Sequence, residues 1–494
     1  MATKRGIQYI PAIDGLRAIA VMAVLFYHLG FSWIPGGFLG VDLFFVISGY
    51  VITRLLLDSI ERSGGLDLRA FYLARIRRLL PALAFMLVTT AIAVGIWAPD
   101  TIKRFLIDTP FALTGSMNWW LVGRHLDYFE AIGRPPLLQH TWSLAVEAQF
   151  YLLWPLILLL ILRFFGKKRI SIAALVIACF SGIALMLVSF SLDASSSSKV
   201  SHIYFGTDTH SIGLFLGAAL AVNWIPQNFK PEVSKKAQDF IDGIGVFGFL
   251  GILATFIFIE ESNPALYRIA FPLAGIFGAA IITSIVHPAS RFAPLLQNRV
   301  LLWIGERSYA IYLWHWPIFS FARIVEGETP SVFVRTLCVT ISILLAWATF
   351  SLYEKALRFD WKYRYKTIIL VMGMLVTGVL GYLVYKVEES PSRGLAVKAP
   401  VIVNDGDIGH DSFHSFLWQH YFPCANQDVR ENASVWRGVT WCFQSKTSTN
   451  IDLVLLGDSH AEHLLIGFAE ALPNLNVAFY TKSALPVLGT PEFD

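Results

Sequence analysis

The sequence predicts an all-α polytopic membrane domain of about 11 transmembrane helices followed by the start of an α/β domain. Three observations predict it. Apolar runs of membrane-spanning length recur from residue 13 to residue 386. Only 15% of the 494 residues are charged, against about 25% in an ordinary soluble chain. Near the C-terminus the pattern changes to "IDLVLLGDSHAEHLLIGFAEAL", a short apolar strand, a tight Gly-Asp-Ser turn and then helical periodicity from Ala461 to Leu472.

A helix crossing the hydrocarbon needs ~20 largely apolar residues. Such runs fall at about 13–30, 38–57, 81–98, 146–165, 170–190, 208–225, 241–260, 269–287, 308–324, 331–353 and 367–386. Alternate loops are basic, which sets orientation because Lys and Arg stay on the cytoplasmic side. One such loop carries Arg62, Arg69, Arg75, Arg77 and Arg78, and later ones carry Lys167, Lys168 and Arg169, then Lys230, Lys235 and Lys236. The loops between them are poor in basic residues: "GFSWIPGG" and "EGETP" have none and "SLDASSSSKVS" has only Lys199. The long loop at 99–145, with Lys103, Arg104, Arg124 and Arg134, is the exception, as long loops obey the rule less well. The N-terminus is therefore expected in the cytoplasm. Lys4 and Arg5 precede the first run as in a signal peptide, but without a small-residue cleavage site that run reads as an uncleaved span. An odd number of spans places the C-terminal segment outside.

The expected organisation is a membrane domain over 1–360, a further transmembrane helix over 361–387, a linker over 388–415 and a partial outer domain over 416–494. Cys424 and Cys442 would share that oxidising compartment, where a bridge between them can persist. No CxxC or CxxC…HxxxH spacing occurs, which argues against a zinc site; no metal or prosthetic group is expected. The formal net charge of +4 is too small to suggest nucleic acid as a partner.

Ionisable residues inside apolar runs are expensive and mark function when they gather. In "GLRAIAVMAVLFYHL", Arg17 and His28 are eleven residues apart. On a helix they share one face, about 16 Å apart along the axis. Arg17 alone reads equally well as a snorkelling anchor. "GFLGVDLFFVISGY" adds Asp42, whose nearest imidazole in sequence is His28; a carboxylate holding that ring in one tautomer would make His28 a general base. Gly37, Gly40 and Gly49 in the same stretch permit close helix approach. In "FYLARIRRLLP", Arg75, Arg77 and Arg78 read as positive-inside anchors or as a grip on a phosphorylated cytoplasmic donor. "PPLLQHTWSLAVEAQFYLLWP" supplies His140, Trp142 and Glu147, and "GERSYAIYLWHWPIF" puts Tyr309, Tyr312 and His315 on one helical stripe.

Those five blocks, in that order over about residues 8–360, resemble acyltransferase family 3, integral membrane enzymes that O-acylate carbohydrates and other surface molecules. The family's arginine-ten residues-histidine signature falls on Arg17 and His28, its Arg-rich motif on Arg75, Arg77 and Arg78, and its glutamate on Glu147. Ala148 departs from the second glutamate of many members. The resemblance implies an acyl-CoA donor, usually acetyl-CoA, approached from the cytoplasm. The expected roles are His28 as base or transient acyl carrier, Asp42 orienting it, Arg17 with the three arginines holding phosphates, and Glu147 and Tyr309 aiding acyl or acceptor handling. The expected acceptor is an envelope polysaccharide, most of all lipopolysaccharide O-antigen, with peptidoglycan and exopolysaccharide next; the expected location is a bacterial inner membrane. A proton-coupled exporter is the rival reading.

"LVLLGDSHAEH" is similar to the first block of the SGNH hydrolase and acyltransferase family, with Ser459 as nucleophile. That family's late Asp-x-x-His block does not follow within the 34 residues after His460, so this half is expected to be truncated and to lack a working triad.

Overall fold

The computed structural model describes residues 9–124, 136–190, 197–260, 266–326 and 330–351, and, further on, 378–379, 417, 420–427, 430, 433, 435–436, 439–457 and 459–481. The chain divides into two units, Met1–Leu395 and Ala396–Asp494. The first is helical, in the order α1 (Pro11–His28), α2 (Gly40–Ser63), α3 (Leu68–Trp97), α4 (Ile102–Thr114), α5 (Met117–Gly123), α6 (Thr141–Phe165), α7 (Lys168–Phe190), α8 (Ser197–Phe205), α9 (Thr207–His210) and α10 (Ile212–Asn223). There follow α11 (Lys235–Phe258), α12 (Phe271–Val286), α13 (Arg299–Glu306), α14 (Ser308–Glu326) and α15 (Val332–Thr349).

Local chemistry sets several helix ends. Pro11 occupies the first turn of α1, where its missing N–H costs nothing. Asp67 accepts a bond from the Ala70 amide to open α3, and Gly64, at φ +71°, closes α2 in the left-handed region. Long helices α6, α7 and α11 turn Leu, Ile and Phe side chains outward, among them Leu160, Phe180 and Phe247. Such faces suit lipid, since the helix satisfies its own backbone and needs no water. This is a multi-pass membrane domain.

Among the described residues, eight helices are long and apolar enough to cross a membrane: α1, α2, α3, α6, α7, α11, α12 and α15. Eight of the expected runs are helices of this kind, and two others differ from them. The run at 208–225 holds α9 and α10, four and 12 residues long, and neither reaches the ~20 residues a span needs. Buried Asp42 and His210 meet at this break, and non-helical backbone is tolerated at depth where protein covers it. The run at 308–324 forms α14, 19 residues long, diluted by Ser308, His315 and Arg323. The run at 367–386 lies outside the described residues apart from 378–379.

The glycines of α2 act as the sequence suggests. A Cβ on Gly40 would lie 2.4 Å from the Ala20 carbonyl oxygen of α1, and one on Gly49 would lie 1.9 Å from that of Leu214 in α10. Both distances are far inside van der Waals contact, so α2 touches α1 with one face and α10 with another.

The second unit contains a four-stranded sheet in the order β1 (Phe422–Pro423), β4 (Cys442–Gln444), β6 (Val477–Thr481), β5 (Leu453–Gly457), and a hairpin of β2 (Val435–Trp436) with β3 (Val439–Thr440). Strands β5 and β6 are parallel and joined through α16 (Ser459–Ala471), the expected strand-turn-helix. Leu465 of that helix packs with Val477 and Phe479. Cys424 and Cys442 are bridged, with their Cα atoms 5.4 Å apart. Ser459 opens α16, but its side chain and Asp458 lie outside the described residues.

Candidate active site

Helices α1, α2, α3, α6 and α14, with the end of α13, surround a cavity of about 690 Å³ in the first unit. Each contributes residues at helical spacing: Ile13, Asp14 and Arg17 from α1; Val41, Phe44, Phe45, Ser48 and Val51 from α2; Arg75, Arg78 and Leu79 from α3; Ser143, Glu147 and Tyr151 from α6; Tyr309 and Tyr312 from α14. Arg54, Glu306 and Arg307 also line it. Its volume falls in the range of about 300–1,000 Å³ usual for ligand sites.

The cavity is cationic at one end. Arg17 pairs with Asp14 at 3.2 Å. Arg54 is buried and held by Asp58 at 2.9 Å and Glu61 at 3.0 Å. The Arg307 guanidinium lies 4.3 Å from the Trp303 ring centroid and 4.4 Å from that of Phe350. Arg78 makes no hydrogen bond or ion pair among the described residues. Arg77 is exposed and does not line the cavity. Residues 75 and 78 share a helix face, whereas 77 is turned about 100° from 78 and 200° from 75.

Glu147 accepts from the Ser48 hydroxyl at 2.7 Å and from the Tyr151 hydroxyl at 2.9 Å. Tyr309 donates to the Leu79 carbonyl at 3.0 Å, tying α14 to α3. At the far end Tyr312 donates to the His140 carbonyl at 2.9 Å and meets the Ser143 hydroxyl at 2.7 Å. Here the cavity stops.

His28 stands beyond that closure. It is the last residue of α1, 8% exposed. Although Arg17 and His28 share one face of α1, Arg17 lines the cavity and His28 does not, because Tyr312 reaches across from α14 to α6. The stripe on α14 runs the whole way instead, with Tyr309 and Tyr312 on the cavity and His315 against His28.

The two imidazoles meet through His315 Nε2 and His28 Nδ1 at 3.1 Å, and His315 Nδ1 lies 2.5 Å from the Tyr312 carbonyl oxygen. A carbonyl only accepts, so in the neutral pair Nδ1 of His315 carries the proton. Its Nε2 then accepts from Nδ1–H of His28, which leaves Nε2 of His28 as the basic nitrogen. This is the arrangement a general base or acyl-accepting imidazole needs.

Asp42 does not supply it. Its Oδ1 lies 3.0 Å from His210 Nε2, and His210 Nδ1 lies 2.7 Å from the Tyr204 carbonyl oxygen. The reason is helical geometry. Gly40 faces α1, and Asp42, two residues later, points about 200° around α2 from it. Phe271 and Trp142 complete the enclosure of His210, with ring centroids at 4.3 and 5.2 Å.

Residues 10–352 match the acyltransferase domain family. The chain belongs to that family. It is 36% identical over 358 residues to the peptidoglycan O-acetyltransferase OatA of Listeria monocytogenes, a match covering 72% of this chain and 57% of the relative. It is 38% identical over 353 residues to the O-acetyltransferase OatA of Staphylococcus aureus, covering 71% of this chain and 57% of the relative. The chain thus spans somewhat over half the length of these relatives along the match. No solved structure matches it.

In the acyltransferase domain the structure gathers Arg17, Arg75, Arg78, Glu147 and Tyr309 on one cavity and sets His28 behind its closed end. It separates Asp42 and Arg77 from both. Sequence reasoning gave no site role to His315, Arg54, Arg307 or Ser143. The signal for His315 was present, since the stripe of Tyr309, Tyr312 and His315 had been recognised, but no sequence rule pairs it with His28, 287 residues away.

Proposed function

We propose that this chain is a membrane O-acetyltransferase that takes acetyl groups from acetyl-CoA and passes them to hydroxyls of an envelope polysaccharide. The observation that carries the reading is the order of parts: a cationic cavity sized for a nucleotide thioester ends one tyrosine away from an imidazole pair whose basic nitrogen is set by a backbone carbonyl. CoA phosphates would lie between Arg17, Arg75 and Arg78, matched by guanidinium forks. The pantetheine arm would follow the α14 stripe and displace Tyr312. His28 Nε2 would take the proton of the attacking hydroxyl or carry the acetyl group itself. Basic-loop asymmetry supports donor entry from the cytoplasm, with transfer on the opposite side of the inner membrane. The Listeria relative's name favours peptidoglycan ahead of O-antigen as acceptor. Ser459 would relay the group if the C-terminal unit works as an SGNH-like acceptor.

Inverted vesicles carrying the protein, given labelled acetyl-CoA and either peptidoglycan fragments or O-antigen, test this. Alkali-labile label on the glycan is expected; uptake without covalent label would instead make the chain an exporter. The same assay separates the arginines. Losing a charge-assisted phosphate bond costs about 1.5–3 kcal/mol, so Arg75→Ala or Arg78→Ala is expected to raise KM for acetyl-CoA by about tenfold or more. Arg77→Ala, on the exposed face, is expected to leave KM within about threefold, the range of a minor surface effect. Equal effects at all three positions would contradict the cavity as donor site.

A further inference from the structure

His140 immediately precedes α6 and is 2% exposed. Neither of its ring nitrogens makes a hydrogen bond among the described residues; the Leu313 carbonyl lies nearby but outside hydrogen-bond geometry. The other buried histidines, His28, His210, His287 and His315, each bond through at least one ring nitrogen. Leaving a buried donor or acceptor unsatisfied costs about 1–3 kcal/mol, and such groups in native proteins call for a specific explanation.

Its position supplies one. The His140 ring centroid is 5.7 Å from that of Tyr312, which ends the donor cavity, and 5.7 Å from that of His315, which holds His28. Trp316 lies against both sides of the site, 6.4 Å from His140 and 4.9 Å from His28. An unsatisfied imidazole thus stands where a thioester passing Tyr312 would meet His28. The proposed base is His28; the carbonyl oxygen on which charge develops needs a hydrogen-bond donor of its own.

We propose that His140 is a catalytic residue whose ring N–H holds the carbonyl oxygen of the acyl group during transfer. The proposal rests on the acyltransferase reading above. As His28 Nε2 takes the proton of the attacking hydroxyl, the hydroxyl oxygen bonds to the carbonyl carbon, and the C=O pair moves onto the oxygen held by His140. When that pair returns to re-form the carbonyl, the C–S bond breaks and the sulfur leaves with the C–S bonding pair, receiving the proton from His28. Alcohol and thioester become ester and thiol with no further reactant.

The test begins with wild-type acetyl transfer in vesicles; its absence would sink the acyltransferase reading rather than this one. With it established, His140→Leu is expected to lower kcat by about 10²–10³, the cost of one oxyanion donor, with KM for acetyl-CoA nearly unchanged. His140→Gln, which keeps an N–H, should retain clearly more activity than the leucine variant at equal amounts in the membrane. A leucine variant as active as wild type, or glutamine and leucine equally inactive while folded, overturns the role. A second readout avoids turnover altogether. In a His28→Ala background, the infrared stretch of bound [1-13C]acetyl-CoA should lie lower with His140 than with His140→Phe, and an unchanged stretch would overturn it too.

Discussion

His28→Ala is expected to lower acetyl transfer by about 10²–10⁴, the contribution of a positioned base, while the protein still inserts and folds. The basis is the directed chain from the Tyr312 carbonyl through His315 to His28, which leaves one nitrogen basic toward the substrate. The variant removes that nitrogen but leaves the rest of α1 in place: Val21, Val24 and Leu25 stay buried in the core. Acetyl transfer to glycan in vesicles reads the outcome. His315→Ala should lower kcat less, because it frees the tautomer without removing the base. Full activity in His28→Ala would mean the chemistry lies elsewhere.

Asp42→Ala is expected to act on stability rather than on the chemical step. Asp42 and His210 are both nearly fully buried and lie 3.0 Å apart. Removing one member of such a pair costs about 3–5 kcal/mol because the other is left uncompensated. Purified Asp42→Ala protein should therefore melt well below wild type in detergent. The double variant Asp42→Leu, His210→Phe should recover much of the loss, since apolar replacement of a whole buried pair is often neutral or better. A normal melting curve for Asp42→Ala with kcat lost by the factor expected of His28→Ala would return Asp42 to the reaction.

The class of fold was legible because lipid imposes it: long apolar helices, few charges and alternating basic loops are written residue by residue. So was the bridged, strand-turn-helix character of the C-terminal unit, from Cys424, Cys442 and the "IDLVLLGDS" pattern. The site was legible where chemistry repeats at helical spacing, as for Arg75 with Arg78 and for Tyr309, Tyr312 and His315. It was illegible where partners come from distant segments. Asp42 was matched to His28 because they are close in sequence, yet two residues of helical rotation turn Asp42 to His210, 168 positions on. The break between α9 and α10 was likewise hidden, because an apolar run records lipid compatibility and not helix continuity.

The central claim is that a thioester bound by the arginines reaches His28 past Tyr312. A structure of the full chain in lipid with the stable ketone analogue of acetyl-CoA tests it most directly. The analogue's phosphates should lie among Arg17, Arg75 and Arg78, the Tyr312 hydroxyl should have left Ser143, and the acetyl carbonyl should sit between His28 and His140. Phosphates bound away from those arginines, or an acyl end halted on the cavity side of an unmoved Tyr312, would contradict it.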